Sequence, residues 1–274
     1  MSSNEACAMR FPTIFINHGG GPMPLLGRQQ LLVSHMKQAA ELHIPSRPKS
    51  IIVLSAHWEA DPIQITNYNR PLPLYFDYYG FPPETYKYEY SPPAAPDLSM
   101  KIQKLLKEHG IDSQLEDKRG FDHGAFVPLL IMYPDADIPV VAVSMHASLD
   151  AEKNIMIGQA LQPLREEGVL IVGSGYSFHN LRAFFNPTTA SQKASKDFNE
   201  WLKATITKSN SAEEVKEGLV RWEQAPSARM CHPREEHLLP LFMVAAAAGF
   251  EGGKLIYETN SDTGDHTVSG YLFN

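Results

Sequence analysis

Four stretches of this chain are apolar almost without a break: "TIFIN" from residue 13, "SIIVLSA" from 50, "IPVVAVS" from 138 and "VLIVGSG" from 169. A strand with one wet face alternates apolar and polar residues. These runs do not, so each predicts a strand covered on both faces. Helices are the usual cover, and helical spacing recurs between the runs, at 31–43, 96–110, 124–133, 150–168, 194–208, 211–222 and 234–249. Further strands are expected at 62–68 and, as the last one, at 253–259. The alternation predicts an α/β fold: a single domain over residues 1–274, with a central, mostly parallel (mixed) sheet and helices on both faces. Residues 70–96 break the pattern. Rich in proline and tyrosine, they predict a long ordered loop that either walls a pocket or packs over the sheet.

Ligands of such sheets bind beyond the carboxyl ends of the strands. His18, His57, His146 and His179 all fall there. The turn "HGGGPM" after the first strand invites a phosphate reading, but no helix follows directly. Neither the GxxxxGK[ST] pattern nor the G-x-G-x-x-G spacing is present. Converging histidines instead suit iron, zinc or copper. "HPREEH" adds His232 and His237, with Glu235 and Glu236 between them, and His237 is expected to start the last helix. One such histidine alone is more often a hydrogen-bonded core residue; several at strand ends argue for a metal. Gly19, Gly20 and Gly21 then leave room beside His18, and a branched residue, as in Gly20→Val, is expected to damage the turn or substrate access.

Composition narrows the partners. A formal net charge of −7, with no basic run, argues against nucleic acid or an anionic membrane. The most apolar stretch, 238–250, is too short to span a bilayer and carries Pro240. No signal peptide is legible at the N-terminus. The two cysteines, Cys7 and Cys231, suggest no disulfide framework and fit a reducing compartment, so a cytoplasmic location is expected.

Five motifs together, "INHGGGPM", "VLSAHW", "GFDHGAFVPLLIMYPDADIPVVAVS", "VGSGYSFHNLRAF" and "HPREEHLLPL", resemble the class III (LigB-type) extradiol ring-cleavage dioxygenases, in the subgroup similar to 4,5-DOPA dioxygenase. The resemblance runs from about residue 11 to about residue 257. It implies a non-haem Fe(II) enzyme that opens a catechol-type ring with O2 to a hydroxymuconic semialdehyde-type product. Zn(II) also suits a three-histidine site and is a possible metal in the purified protein. The resemblance assigns His18, His57 and His237 to the metal, His179 to acid–base catalysis or a fourth ligand position, and His123 to a place beside the substrate. Members of the broader family use a glutamate as third ligand, so Glu235 and Glu236 stay open as alternatives to His237. Tyr176, Ser177 and Arg182 are candidates to contact substrate, Arg182 through a carboxylate. His146 is expected to be a bystander and His232 a surface or supporting residue. The expected partners are a small catechol and O2, in a monomer or small homo-oligomer. The alternatives are a zinc hydrolase using Glu235 or Glu236 as base, and a non-enzymatic interaction protein.

Overall fold

The computed structural model describes residues 10–261 and 265–274. Its four apolar runs form β1 (Thr13–Asn17), β2 (Ser50–Ala60), β5 (Val140–His146) and β6 (Val169–Gly175). β3 (Ile63–Thr66), β4 (Ser113–Glu116), β7 (Lys254–Asn260) and β8 (Thr267–Phe273) complete one sheet, in the order β4-β3-β5-β2-β6-β1-β8-β7. The four central strands are mutually parallel, and antiparallel pairs join them to both flanks. The sheet is therefore mixed with a parallel centre, as the unbroken apolar runs required.

Helices cover both faces. β6 shows this residue by residue, because successive side chains of a strand point to opposite faces. A Cβ on Gly173 or Gly175 would meet the backbone of Pro240 or His237, at and just before α9 (Leu239–Ala247). Ser174, between them, donates to the carbonyl of Gly124 in α3 (His123–Met132). α9 is apolar and buried on every side, packed between the sheet and α4 (Ala151–Leu161). α1 (Gln30–Gln38) packs on α3, and α2 (Pro96–Glu108) on α4. α5 (Leu181–Phe185), α6 (Thr189–Lys208), α7 (Ala212–Val220) and α8 (Ala228–Cys231) follow β6.

Two expectations are corrected, and one strand, β4, was not expected. The last strand is β8, not 253–259: "TVSGYLF" mixes polar residues with apolar ones because Ser269 bonds to Asn199 and Tyr271 inside the protein. The short edge strand β4 has exposed and half-buried residues only, so it carries no apolar signal. The last helix begins at Leu239 rather than at 234, with Pro240 in its first turn, where a missing N–H costs nothing. Residues 70–96 are mainly irregular, with one 3-10 turn at Pro83–Lys87, and their rings pack on one another and on Phe126. Cys231 is buried and free, while Cys7 lies outside the described residues. Among the described residues, no helix is long and apolar enough to cross a membrane.

Candidate metal centre and its pocket

His18 directly follows β1, and its N–H donates to the Gly175 carbonyl at the end of β6. His57 sits where β2 loses register with β5: Leu54 pairs with Val143, but Glu59 pairs with Met145. Such a bulge bends the strand and re-aims a side chain. His237 lies two residues before α9, held by its carbonyl, which accepts from Tyr176 N at 2.9 Å. The ends of β1 and β6, the bulge in β2 and the start of α9 thus converge on one point.

There the Nε2 atoms of His57 and His18 are 3.1 Å apart, and those of His237 and His57 3.3 Å apart. The far nitrogen of each ring is already engaged. Pro128 has no N–H to give the Gly124 carbonyl four residues back, so that carbonyl takes the single hydroxyl proton of Ser174. Ser174 Oγ can then only accept from His18 Nδ1, at 3.1 Å. His57 Nδ1 lies 3.4 Å from the Asp77 carboxylate, and His237 Nδ1 lies 2.8 Å from Glu236. Carboxylates accept only, so each ring carries its proton on Nδ1 and a lone pair on Nε2.

Three lone pairs facing one another repel unless a cation lies between them. An imidazole nitrogen sits about 2.0–2.1 Å from zinc, which puts two ligand nitrogens about 3.0–3.4 Å apart across tetrahedral or octahedral angles. The donor set therefore fits a divalent transition metal. Burial first, and then the neighbouring imidazoles, hold His18 and His237 well below the ordinary histidine value. Burial and His123 hold His57 down to about 3 against the pull of Asp77. Neutral imidazoles are what a metal needs.

Two carboxylates organise the rest. Asp77 Oδ1 accepts from both the backbone N and Nδ1 of His123, at 3.0 and 2.8 Å. Burial opposes ionisation of Asp77, but these bonds, and after them the nearness of the His123 and His57 rings, outweigh it and hold the group at about 2. Glu236 Oε1 lies 2.8 Å from His237 Nδ1 and 3.3 Å from Nδ1 of His179, whose ring stacks on His237 with centroids 3.4 Å apart. Burial opposes the Glu236 charge too, and the bond to His179 overcomes it. Glu236 thus grips the far side of two imidazoles, the side away from the lone-pair cluster. Glu235 instead pairs with Arg229 outside the cavity. The arrangement favours neither as a third metal ligand and neither as a hydrolytic base.

The cavity above the histidines is lined by His18, Gly19–Gly21, His57, Asp77, His123, Tyr176, His179 and His237, with further aromatic residues. Of the sequence-derived set, the structure brings together His18, His57, His123, His179, His237 and Tyr176. Ser177 is not among them: it turns into the fold, where its Oγ accepts from Ser269 N and its N–H donates to Asn17. Arg182 lies exposed in an adjoining cleft beside Arg234. His146 bonds Ser148 away from the cavity. His232 is fully buried rather than at the surface, its Nε2 bonded to the Ser177 carbonyl, and burial holds it at about 3. The 70–96 loop contributes Asp77, Tyr78, Tyr79 and Phe81, so it does wall the pocket. Among the glycines, Gly19 and Gly21 carry the constraint, at φ +88° and +55°, whereas a Cβ on Gly20 would meet only ordinary contacts from Met23. Asp77 and Asn17 were not found by sequence reasoning. Asp77 is the one acidic residue in the loop between Arg70 and the 3-10 turn, but nothing local says which histidine it meets.

The likeness to known proteins covers the same ground. The family of catalytic LigB subunits of aromatic ring-opening dioxygenases matches residues 11–271. A 4,5-DOPA dioxygenase extradiol of Beta vulgaris is 36% identical, over 95% of this chain and 96% of its own. A dioxygenase of Hapsidospora irregularis is 38% identical over 86% of this chain and 78% of its own. A 4,5-DOPA dioxygenase extradiol of Escherichia coli is 34% identical over 87% and 85%. The crystal structure of an uncharacterised protein of Escherichia coli K12 superposes with a TM-score of 0.77 at 29% identity, over 97% of this chain and all of that one. With its mixed sheet, its histidine cluster at the strand ends and a match over nearly its whole length, the chain belongs to the LigB family of extradiol ring-opening dioxygenases.

Proposed function

We propose that the protein is an Fe(II)-dependent extradiol dioxygenase that opens a catechol with O2 to a hydroxymuconic semialdehyde-type product. The observation that carries this is the trio of Nε2 lone pairs of His18, His57 and His237, each fixed by an oxygen on the ring's far side. Those three histidines hold the metal, which when bound supplies a Lewis acid that acidifies a catechol hydroxyl and a place for O2 beside the ring. The uncharged ligand set accepts Zn(II) as readily, so iron has to be supplied to reveal the activity.

The remaining roles follow from hydrogen bonding. Glu236 accepts from His179 Nδ1, which leaves Nε2 of His179 as the base that takes a hydroxyl proton and later returns it. Asp77 accepts from His123 Nδ1 and leaves Nε2 of His123 as that ring's free polar atom for a substrate oxygen. Tyr176, nine-tenths and more buried, forms part of the wall beside His18 and His179. Aromatic residues of the lining, Tyr78, Phe81, Tyr176 and Phe184 among them, limit water around the reacting ring. The test is a panel of catechols on the iron-reconstituted protein, read by O2 uptake and by a new visible absorbance. A yellow product with matching O2 uptake is expected, and iron-loaded protein inert toward the whole panel would refute the assignment.

A further inference from the structure

The cavity has a volume of about 630 Å3. That is more than a bare benzenediol fills and lies within the range for drug-sized ligands, about 300–1,000 Å3. The extra room is lined by Met23, Phe81, Phe184 and Gln29, whose Oε1 already accepts from Gly20 N, with Tyr79, Leu181 and Phe185 toward the solvent. These last three are 92%, 56% and 75% exposed. Large apolar side chains left in water around one opening mark a binding surface. The charge is one-sided too. Among the described residues no lysine or arginine lines this cavity, and Asp77 does. A substrate carboxylate in the outer part of the cavity would leave water with no cationic side chain to pair with it, since the metal's charge faces the catechol oxygens, and with Asp77 nearby. Arg182, the cation expected to receive one, belongs to the adjoining cleft.

We propose that the substrate is a catechol bearing a neutral, apolar substituent, and that Tyr79, Leu181 and Phe185 are specificity-determining residues for it. This rests on the ring-opening function proposed above. The comparison is between 4-butylcatechol and dihydrocaffeate, which differ mainly in the end of the chain. On iron-loaded protein, kcat/KM is expected to be at least about tenfold higher for 4-butylcatechol, since each buried methylene is worth about fourfold. Metal-free protein, titrated in a calorimeter, is expected to bind 4-butylphenol in preference to 4-hydroxyphenylpropanoate. Phe185→Ser alters a mostly exposed side chain, so the fold survives; KM for 4-butylcatechol is expected to rise severalfold more than KM for catechol.

Equal or better turnover of dihydrocaffeate overturns the inference and leaves ring opening intact. No turnover of any catechol, with the preference for 4-butylphenol retained, overturns the reaction and leaves the apolar site standing. Absence of that preference in the metal-free protein overturns the inference whatever the kinetics. If Phe185→Ser changes the mass in solution and leaves the KM ratio as it was, the rim serves a partner chain, and the inference is again overturned.

Discussion

His18 donates from Nδ1 because Ser174 has already given its only hydroxyl proton to Gly124, and it is Pro128 that left Gly124 able to take it. Asp77 and Glu236 orient the other two rings in the same way, Glu236 by a hydrogen bond and Asp77 by a carboxylate contact at 3.4 Å, so each lone pair is turned to the centre by an oxygen behind it. His18→Ala, His57→Ala and His237→Ala are each expected to lose bound metal, measured by elemental analysis of the purified variants. His179→Ala should retain metal and lose about 10²–10⁴ in kcat; loss of metal from it would make His179 a ligand. Glu236→Gln keeps the shape but turns a pure acceptor into a group that can donate, and it faces two Nδ1–H groups. Metal affinity should fall about 10–100-fold, read by competition with a chelator. His18, His57, His179 and His237 were legible in the sequence because each falls at the end of an apolar run or at the start of an apolar helix, whereas His123 was marked only by the family resemblance. Asp77 was not legible, since its loop meets His57 and His123 only through space. Nearness to His179 in sequence is a poor guide to Ser177 and Arg182: the bend after β6 turns Ser177 inward to Asn17 and Ser269, and α5 carries Arg182 to the exposed surface.

At the scale of elements, close approach places the third histidine. A Cβ on Gly175 would lie 2.1 Å from the His237 carbonyl, so Gly175→Ala is expected to push the segment before α9 off β6. Loss of metal with a lowered thermal midpoint should follow, whereas Gly20→Ala, which meets Met23 at 3.5 Å, should leave both nearly unchanged. The turn's backbone strain sits on either side of Gly20, at Gly19 and Gly21. The parallel centre of the sheet was legible because strands buried on both faces have to be apolar throughout. β8 and β4 were not, because one buries serines that pair internally and the other lies at the edge. Nor was the bulge that aims His57, which depends on pairing with β5 rather than on any local residue.

For the molecule as a whole, burying neutral histidines makes stability depend on pH. His57 and His232 hold values of about 3, and His18 and His237 lie well below their ordinary value. In the unfolded chain each takes a proton at about 6.5. Below about pH 6.5 the unfolded state binds more protons, so the metal-free protein has its full stability above that pH and loses it as pH falls, down to about 3 for His57 and His232. Asp77, held at about 2, adds a loss of the same sign at still lower pH. Urea midpoints of chelated protein at about pH 7 and about pH 5 check this; a midpoint that holds or rises on acidification would contradict it. The central claim, that the histidine cluster serves to put both atoms of O2 into an opened ring, is tested most directly with labelled oxygen. Protein loaded anaerobically with Fe(II) and given a catechol and ¹⁸O2 should yield a ring-opened product carrying both labelled atoms. A product whose ring is intact, or label recovered only as peroxide or water while iron stays bound, would contradict it.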